Sequence, residues 1–256
     1  MGLSLIVVDY AKVLNEGLNS IIDSAEDELS RLRFTSGETV KKADFLKSVI
    51  IANEAILRLA HRFSDLASEM ASNEADPVRK KELEQISETC RWVPANPART
   101  FREAVQSFWF IWAMIASGTA PGGRFDQFMY PFYKTDRQQG RITDDEVLEL
   151  LECLRIKVMQ LNFVGGGKLQ REKWAGMARW HNWVIGGVTP DGEDATNELS
   201  YLILEAARDC QTPHHTITVR VHDETPEDLM LKALEVVKTG IGMPAFIAVS
   251  YTHLTL

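Results

Sequence analysis

Five groups of residues in this chain have types and spacings that bear on chemistry. Gly165-Gly166-Gly167-Lys168 offers exposed backbone N–H groups beside a lysine charge, the raw material of a phosphate cradle. No earlier glycine stands at the required spacing, no Ser or Thr follows the lysine, and no clear strand feeds it. It reads as a flexible loop. His214 and His215 are metal-ligand types, but neighbours entering a strand point to opposite faces, and no carboxylate or cysteine stands at ligand spacing. The adjacent pair therefore does not close on one ion. His181, in Trp180-His181-Asn182-Trp183, stands just before an apolar run. A buried, hydrogen-bonded structural histidine is the favoured reading there, and a substrate contact the sharper one.

The three cysteines lie far apart in sequence, with no Cys-x-x-Cys spacing and no disulfide framework. Cys153, among Leu150, Leu151 and Leu154, reads as an inert core thiol, and Cys90 and Cys210 lie near helix ends without an activating partner. None reads as a nucleophile. The fifth group is the run from Gly123 to Tyr133, where Arg124, Asp126 and Gln127 stand among five aromatic rings. Two readings stay open: a buried loop whose Arg124 and Asp126 satisfy backbone groups, or the wall of a large internal cavity.

These residues must be positioned by helices first and strands later. From Phe45 the apolar residues Leu46, Val49, Ile50, Ile56, Leu59, Ala60, Phe63, Leu66, Ala67 and Met70 keep a 3.6-residue period, with charged and polar side chains opposite. Asp76-Pro77 opens a shorter charged helix. After the punctuation Pro94-Ala95-Asn96-Pro97, residues 101–115 are apolar almost all round, which predicts a helix buried within a larger body. Thr143 and Glu146 form a capping box for a further helix, and Asp194 is expected to begin another. Trp183–Val188 reads as a short buried strand, Ile217, Val219 and Val221 alternate with polar residues, and 244–249 make a third strand. Thr225-Pro226-Glu227-Asp228 caps the helix between the last two, with proline at its first position. Strand, helix, strand, helix, strand at these lengths implies parallel crossovers.

The 256 residues carry 28 Lys+Arg against 36 Asp+Glu, a net charge of −8, and 45% are hydrophobic. That is an ordinary globular balance, and its acidic excess argues against a nucleic-acid partner. No apolar run is long enough for a membrane span, and the first nine residues lack a basic n-region and a cleavage site. A reducing cytoplasm follows as the expected compartment.

Several of these stretches together resemble a known family. Pro97-Ala98-Arg99-Thr100-Phe101-Arg102-Glu103-Ala104-Val105-Gln106, Gly123–Pro131, Ile185–Gly192, Asp194–Leu199 and Gly240–Phe246 are similar to the pyruvate formate-lyase-like domain of glycyl radical enzymes, and the stretch from Asp9-Tyr10 resembles it too. The resemblance runs through most of the chain in order. It implies an anaerobic, cytoplasmic, usually homodimeric enzyme with a ten-stranded β/α barrel. An activating enzyme using S-adenosylmethionine and an iron–sulfur cluster places a radical on a glycine, and an opposing cysteine becomes the thiyl that abstracts hydrogen from a small-molecule substrate. Formate C-acetyltransferases, dehydratases, decarboxylases and other lyases belong to this family.

The departures shape the expectation. No Gly-Cys loop follows Phe246, and no Arg-Val-x-Gly-Tyr radical segment is present, so neither radical residue is expected here and the chain binds no cofactor of its own. The expected fold class is α/β with a large helical N-terminal part, a truncated barrel. Residues 1–248 form the partial domain, mainly helical over 1–116 and α/β over 117–248, and 249–256 read as a non-native tail. The loop at 116–121 lacks the Gly-His-Ser of diol-dehydrating members, which leans towards members acting on aromatic acids. Ser117 and Thr119 from this loop, with His181, are the candidate substrate contacts, capping of the preceding buried helix being the equal alternative for Ser117 and Thr119; Arg124, Asp126 and Gln127 are the motif residues of the cavity, and no metal ligand is expected. The rival readings are a non-catalytic accessory protein docking on a complete enzyme, and a free-standing α/β enzyme using His181 as its acid–base group.

Overall fold

The computed structural model describes residues 7–33, 35–115, 121–160, 182–213 and 215–252. They fall into two units, Asp9–Met114 and Ile115–Leu256, the second taking in Met1–Val8.

The first unit is helical, and its helices start where polar caps dictate. Asp9 accepts from the Lys12 N–H to open α1 (Tyr10–Ser30), and Ser36 and Thr39 cap α2 (Gly37–Asn73) reciprocally. Asp76 accepts from the Val78 N–H at the start of α3 (Pro77–Trp92), with Pro77 in its first turn as the sequence predicts. Within α1 the ladder breaks at Gly17, which sits at φ 77°. The chain after α3 supplies the missing partners: Leu18 N–H donates to the Pro94 carbonyl (2.8 Å) and Asn19 N–H to that of Ala95 (3.0 Å). Helix α4 (Phe101–Ile115) buries Phe101, Phe108, Phe110, Ile111 and Trp112, as its all-round apolar character predicts.

The inward face of α2 keeps Ala60 and Ala67 of the expected one and differs elsewhere. Its buried residues are Ala43, Ala60, Ser64, Ala67 and Ala71, while Phe45, Phe63, Leu66 and Met70 remain largely exposed. The reason is close approach. Ser64 and Ser87 exchange hydroxyl-to-carbonyl hydrogen bonds of 2.8 Å each way, so α2 and α3 come close at these positions through small side chains. Ala60 joins Cys90 and Phe110 in a small core, with Ile56, Leu59 and Trp109 packed against it.

The second unit comprises α5 (Phe125–Gln138), α6 (Asp144–Gln160), β1 (Trp183–Gly186), α7 (Glu198–Cys210), β2 (Ile217–Val221), α8 (Glu227–Lys238), β3 (Ala245–Ala248) and the single turn α9 (Val249–Thr252). The strands form a parallel sheet in the order β1-β2-β3, with Ile185 opposite Val219 and Val219 opposite Phe246. Gly122 and Gly123 line the other side of β1 through hydrogen bonds to Asn182 and Val184. Helix α6 packs on α7, and α7 on α5 and α8.

Several local expectations are corrected here. The run from Gly123 is not a loop: it turns into α5 at Phe125 and tolerates Pro131 inside the helix. Cys153 is exposed and not a core thiol, because the buried stripe of α6 runs through Val147, Leu151, Leu154, Arg155 and Val158. Helix α7 starts at Glu198, four residues later than expected, since Asn197 and Ser200 form the capping box. Pro226 is the N-cap of α8, and the Thr225 hydroxyl accepts from the His222 N–H and caps nothing in the helix. Strand β1 ends at Gly186 because Gly186 and Gly187 both take positive φ, 66° and 79°. Thr218 is buried with Ile217 and Val219, so β2 is covered on both faces at its start. All four residues of β3, by contrast, are exposed.

Candidate functional site

The start of α5 reaches across to the carboxyl end of β1 and grips the segment leaving it. Arg124, the N-cap, donates from Nη1 to the Val188 carbonyl (2.9 Å) and from Nη2 to that of Gly186 (2.7 Å). Asp126 Oδ2 accepts from the Gly186 N–H (2.8 Å) and from the Ser200 hydroxyl (2.7 Å) at the head of α7. Gln127 Nε2 donates to the Ala195 carbonyl (2.8 Å), and Ala195 N–H donates back to Gly187 (2.8 Å). Three side chains from one helical turn thus fix residues 186–195. A glycine pair with positive φ would otherwise leave that segment with many conformations. Of the two sequence readings, the geometry is that of Arg124 and Asp126 satisfying backbone groups.

The clamp is electrostatically tense. Asp126 has no exposed surface. Burial pushes its carboxyl up to about 6, against the pull of the Gly186 N–H, the Ser200 hydroxyl, the Gln127 side chain and the Arg124 charge. Burial likewise lowers the Arg124 guanidinium, with Arg220 acting in the same direction and Asp126 opposing it.

A second tether joins the loops that follow β1 and β2. His222 Nε2 lies 3.0 Å from Asp194 Oδ1, and its Nδ1 accepts from the Glu224 N–H (3.3 Å), which places the ring proton on Nε2. The Thr196 hydroxyl donates to the same Asp194 oxygen (2.9 Å). Sequence reasoning missed this pair; its signal was a histidine immediately after an alternating strand, where parallel sheets gather their loops.

At the opposite end of the sheet the contacts are those of packing. Phe125, Trp183 and His215 form a stack with centroid separations of 3.9 and 3.6 Å. Arg155, fully buried, sets Nη1 3.3 Å from His215 Nε2 and donates to the Thr212 carbonyl (3.1 Å). Burial holds its guanidinium down to about 10. His215 is therefore engaged within the core, while His214, Ser117, Thr119, His181 and Gly165–Lys168 lie outside the described residues. Among the described residues no cluster of three or more His, Cys, Asp or Glu is arranged to hold a metal, and no helix is long and apolar enough to cross a membrane. In the first unit an open cleft of about 440 Å³ lies along α2 and α3. Its arginines are matched in place, Arg91 by Asp65 and Arg99 by Glu88 and Glu103.

A parallel sheet with helices packed about it, and a clamped glycine turn at its carboxyl end, defines an α/β scaffold. The pyruvate formate lyase-like family matches residues 1–250, and the chain belongs to that family. It is 40% identical over 252 residues to isethionate sulfite-lyase of Nitratidesulfovibrio vulgaris, covering 94% of this chain and 30% of that protein. The B12-independent glycerol dehydratase of Clostridium butyricum superposes with a TM-score of 0.88 at 38% identity, over 96% of this chain and 31% of the other. A glycyl radical enzyme from Archaeoglobus fulgidus does so with a TM-score of 0.88 at 31% identity, over 96% and 32%. The chain spans about 30% of the length of the curated relatives it matches. The fold is accordingly that of glycyl radical enzymes over this stretch: mostly helical with a small parallel sheet, as part of an α/β barrel.

Proposed function

We propose that this chain forms the helical scaffold and first parallel strands of a glycyl radical lyase or dehydratase. The whole enzyme breaks a carbon–carbon or carbon–heteroatom bond in a small organic acid or alcohol, in an anaerobic, reducing cytoplasm. The observation that carries this reading is the family match over residues 1–250, joined to a TM-score of 0.88 with glycerol dehydratase over 96% of the chain. A glycine-centred radical, installed by a partner activating enzyme that uses S-adenosylmethionine and an iron–sulfur cluster, supplies the hydrogen-atom chemistry.

The three thiols of this chain do not fit the hydrogen-abstracting cysteine of such an enzyme. Cys90 is buried with its thiol pushed up to about 11, burial and then Glu152 raise that of Cys210, and Cys153 faces outward from α6. The residues here build and position. Arg124, Asp126 and Gln127 hold the segment at the carboxyl end of β1, where parallel sheets bind their ligands. Ser117, Thr119 and His181 are the proposed substrate contacts, and a second copy of the whole protein is the proposed partner in a homodimer.

The 256-residue chain, treated anaerobically with an activating enzyme and S-adenosylmethionine, is expected to give no doublet by electron paramagnetic resonance. It is also expected to release no sulfite from isethionate. A glycyl-type doublet from this chain would overturn the assignment of the chemistry to residues outside it. Extending the reading frame from the source DNA tests the other half. A longer protein that takes up a glycyl radical supports the lyase reading, and one that folds but takes up none defeats it.

A further inference from the structure

Arg124 and Asp126 each carry one polar atom that the clamp does not use. Asp126 Oδ1 and Arg124 Nε are both buried and make no hydrogen bond of ordinary geometry among the described residues, although the Gln127 side chain, spent on the Ala195 carbonyl, still lies close enough to favour the ionised carboxyl. One is an acceptor and the other a donor. They belong to side chains of opposite charge, two residues apart, each acting electrostatically on the other. A buried polar atom without a partner costs about 1–3 kcal/mol, so two complementary ones in a single closed site leave a second arrangement within reach.

We propose that the clamp between α5 and β1 is a proton-operated latch with two arrangements. In the first, which has the geometry seen here, Arg124 spends Nη1 and Nη2 on the carbonyls of Val188 and Gly186, and the latch assigns the Asp126 carboxyl a proton on Oδ1. That proton costs neither of the bonds to Oδ2, from the Gly186 N–H and the Ser200 hydroxyl. In the other arrangement the proton has left to solvent, the guanidinium turns its Nε–H edge onto Oδ1, and the two carbonyls are let go. The change trades two charge-assisted bonds to backbone for an ion pair, a near-balanced exchange in a dry site. Residues 186–196 then lose the two bonds that Arg124 makes to them.

The surroundings leave this pair in control. On α5 the uncharged Gln127 side chain and the Arg124 charge act on Asp126, and from β2 Arg220 pushes on Arg124. Strand β1 offers only backbone, and α7 presents the uncharged Ser200 and Asn197. Glu198 is taken by the Tyr130 hydroxyl and Asp194 by His222. The proposal concerns this chain alone and stands apart from the lyase reading.

Amide hydrogen exchange on the full 256-residue chain tests it. After correction for intrinsic rates, protection over 186–196 is expected to fall about tenfold between pH 5 and pH 7.5 while α2 and α3 stay unchanged. The midpoint is expected to coincide with the titration of a buried aspartate followed by carbon-13 NMR of labelled aspartates. In Asp126→Asn the protection is expected to be the same at both pH values. Protection that is flat with pH in the wild-type chain overturns the latch, as does an equal fall in Asp126→Asn. Should that variant fail to fold, the wild-type spectrum decides: no aspartate carboxyl titrating between pH 5 and pH 7 ends the proposal.

Discussion

An aspartate in an unfolded chain titrates near 3.9, whereas Asp126 in the folded chain is pushed up to about 6 by burial. The sign follows directly. Because the folded value is the higher one, the fold binds this proton more tightly than the unfolded chain does. Its contribution is fully present below about pH 4 and is lost as pH rises through about 6, some 3 kcal/mol in all. Asp126→Asn keeps an oxygen for the Gly186 N–H and carries no charge. Its stability in denaturant titrations is therefore expected to lack this downward component, and parallel pH slopes for the two proteins would refute the placement. Gly17 makes a different demand. A Cβ there would lie 2.5 Å from the Ala95 carbonyl oxygen at a φ of +77°, so Gly17→Ala is expected to destabilise by more than about 1 kcal/mol. Thermal melts of the pair check it. Cys153, exposed on α6, is expected to be the first thiol modified by a water-soluble disulfide reagent, ahead of buried Cys90. Cys153→Ala is expected to shift stability by less than about 0.5 kcal/mol.

Helices α2 and α3 show what a periodic pattern leaves open. The helical period from Phe45 onward was legible, and so was the cap at Asp76. Which apolar residues face inward was not, because large and small ones share the period and only the partner's distance selects among them. The Ser64–Ser87 exchange draws α3 close and selects alanines. Ala67→Leu is therefore expected to cost about 1–3 kcal/mol by overpacking, while the neighbouring Leu66→Ser is expected to change stability by less than about 0.5 kcal/mol. Denaturant midpoints that rank these two the other way round would restore the large-residue face. Helix α5 carries the same lesson. Five aromatics and Pro131 obscured its period, and the roles of Arg124 and Asp126 on backbone groups were one of two readings that their types left open.

Across the molecule the apolar surface is unevenly covered. Strand β3 exposes Phe246 and Ile247, 38% and 37%, and α8 exposes Leu231, Leu234 and Val237. An edge strand that reads Ala-Phe-Ile-Ala has no charge and no internal proline to discourage pairing. The isolated chain is accordingly expected to bind a hydrophobic dye strongly and to melt over a broad range, and Ile247→Lys is expected to reduce the dye signal. A dye-silent monomer with a sharp cooperative melt would contradict this.

The sequence by itself determined the order and kind of most elements, α1, α5 and α9 excepted, the parallel sense of the strands and the family, because periods, caps and turn residues are local signals and family motifs are linear ones. Tertiary structure alone decided that α2 buries its alanines, that Cys153 faces outward, and that Asp126 meets Gly186 and Ser200. Those outcomes depend on how closely two elements approach and on which backbone groups a fold leaves without partners. Both quantities exist only once segments 23 residues apart in the chain, for α2 and α3, and 60 to 74 apart, for Asp126 and its partners, have been brought into contact.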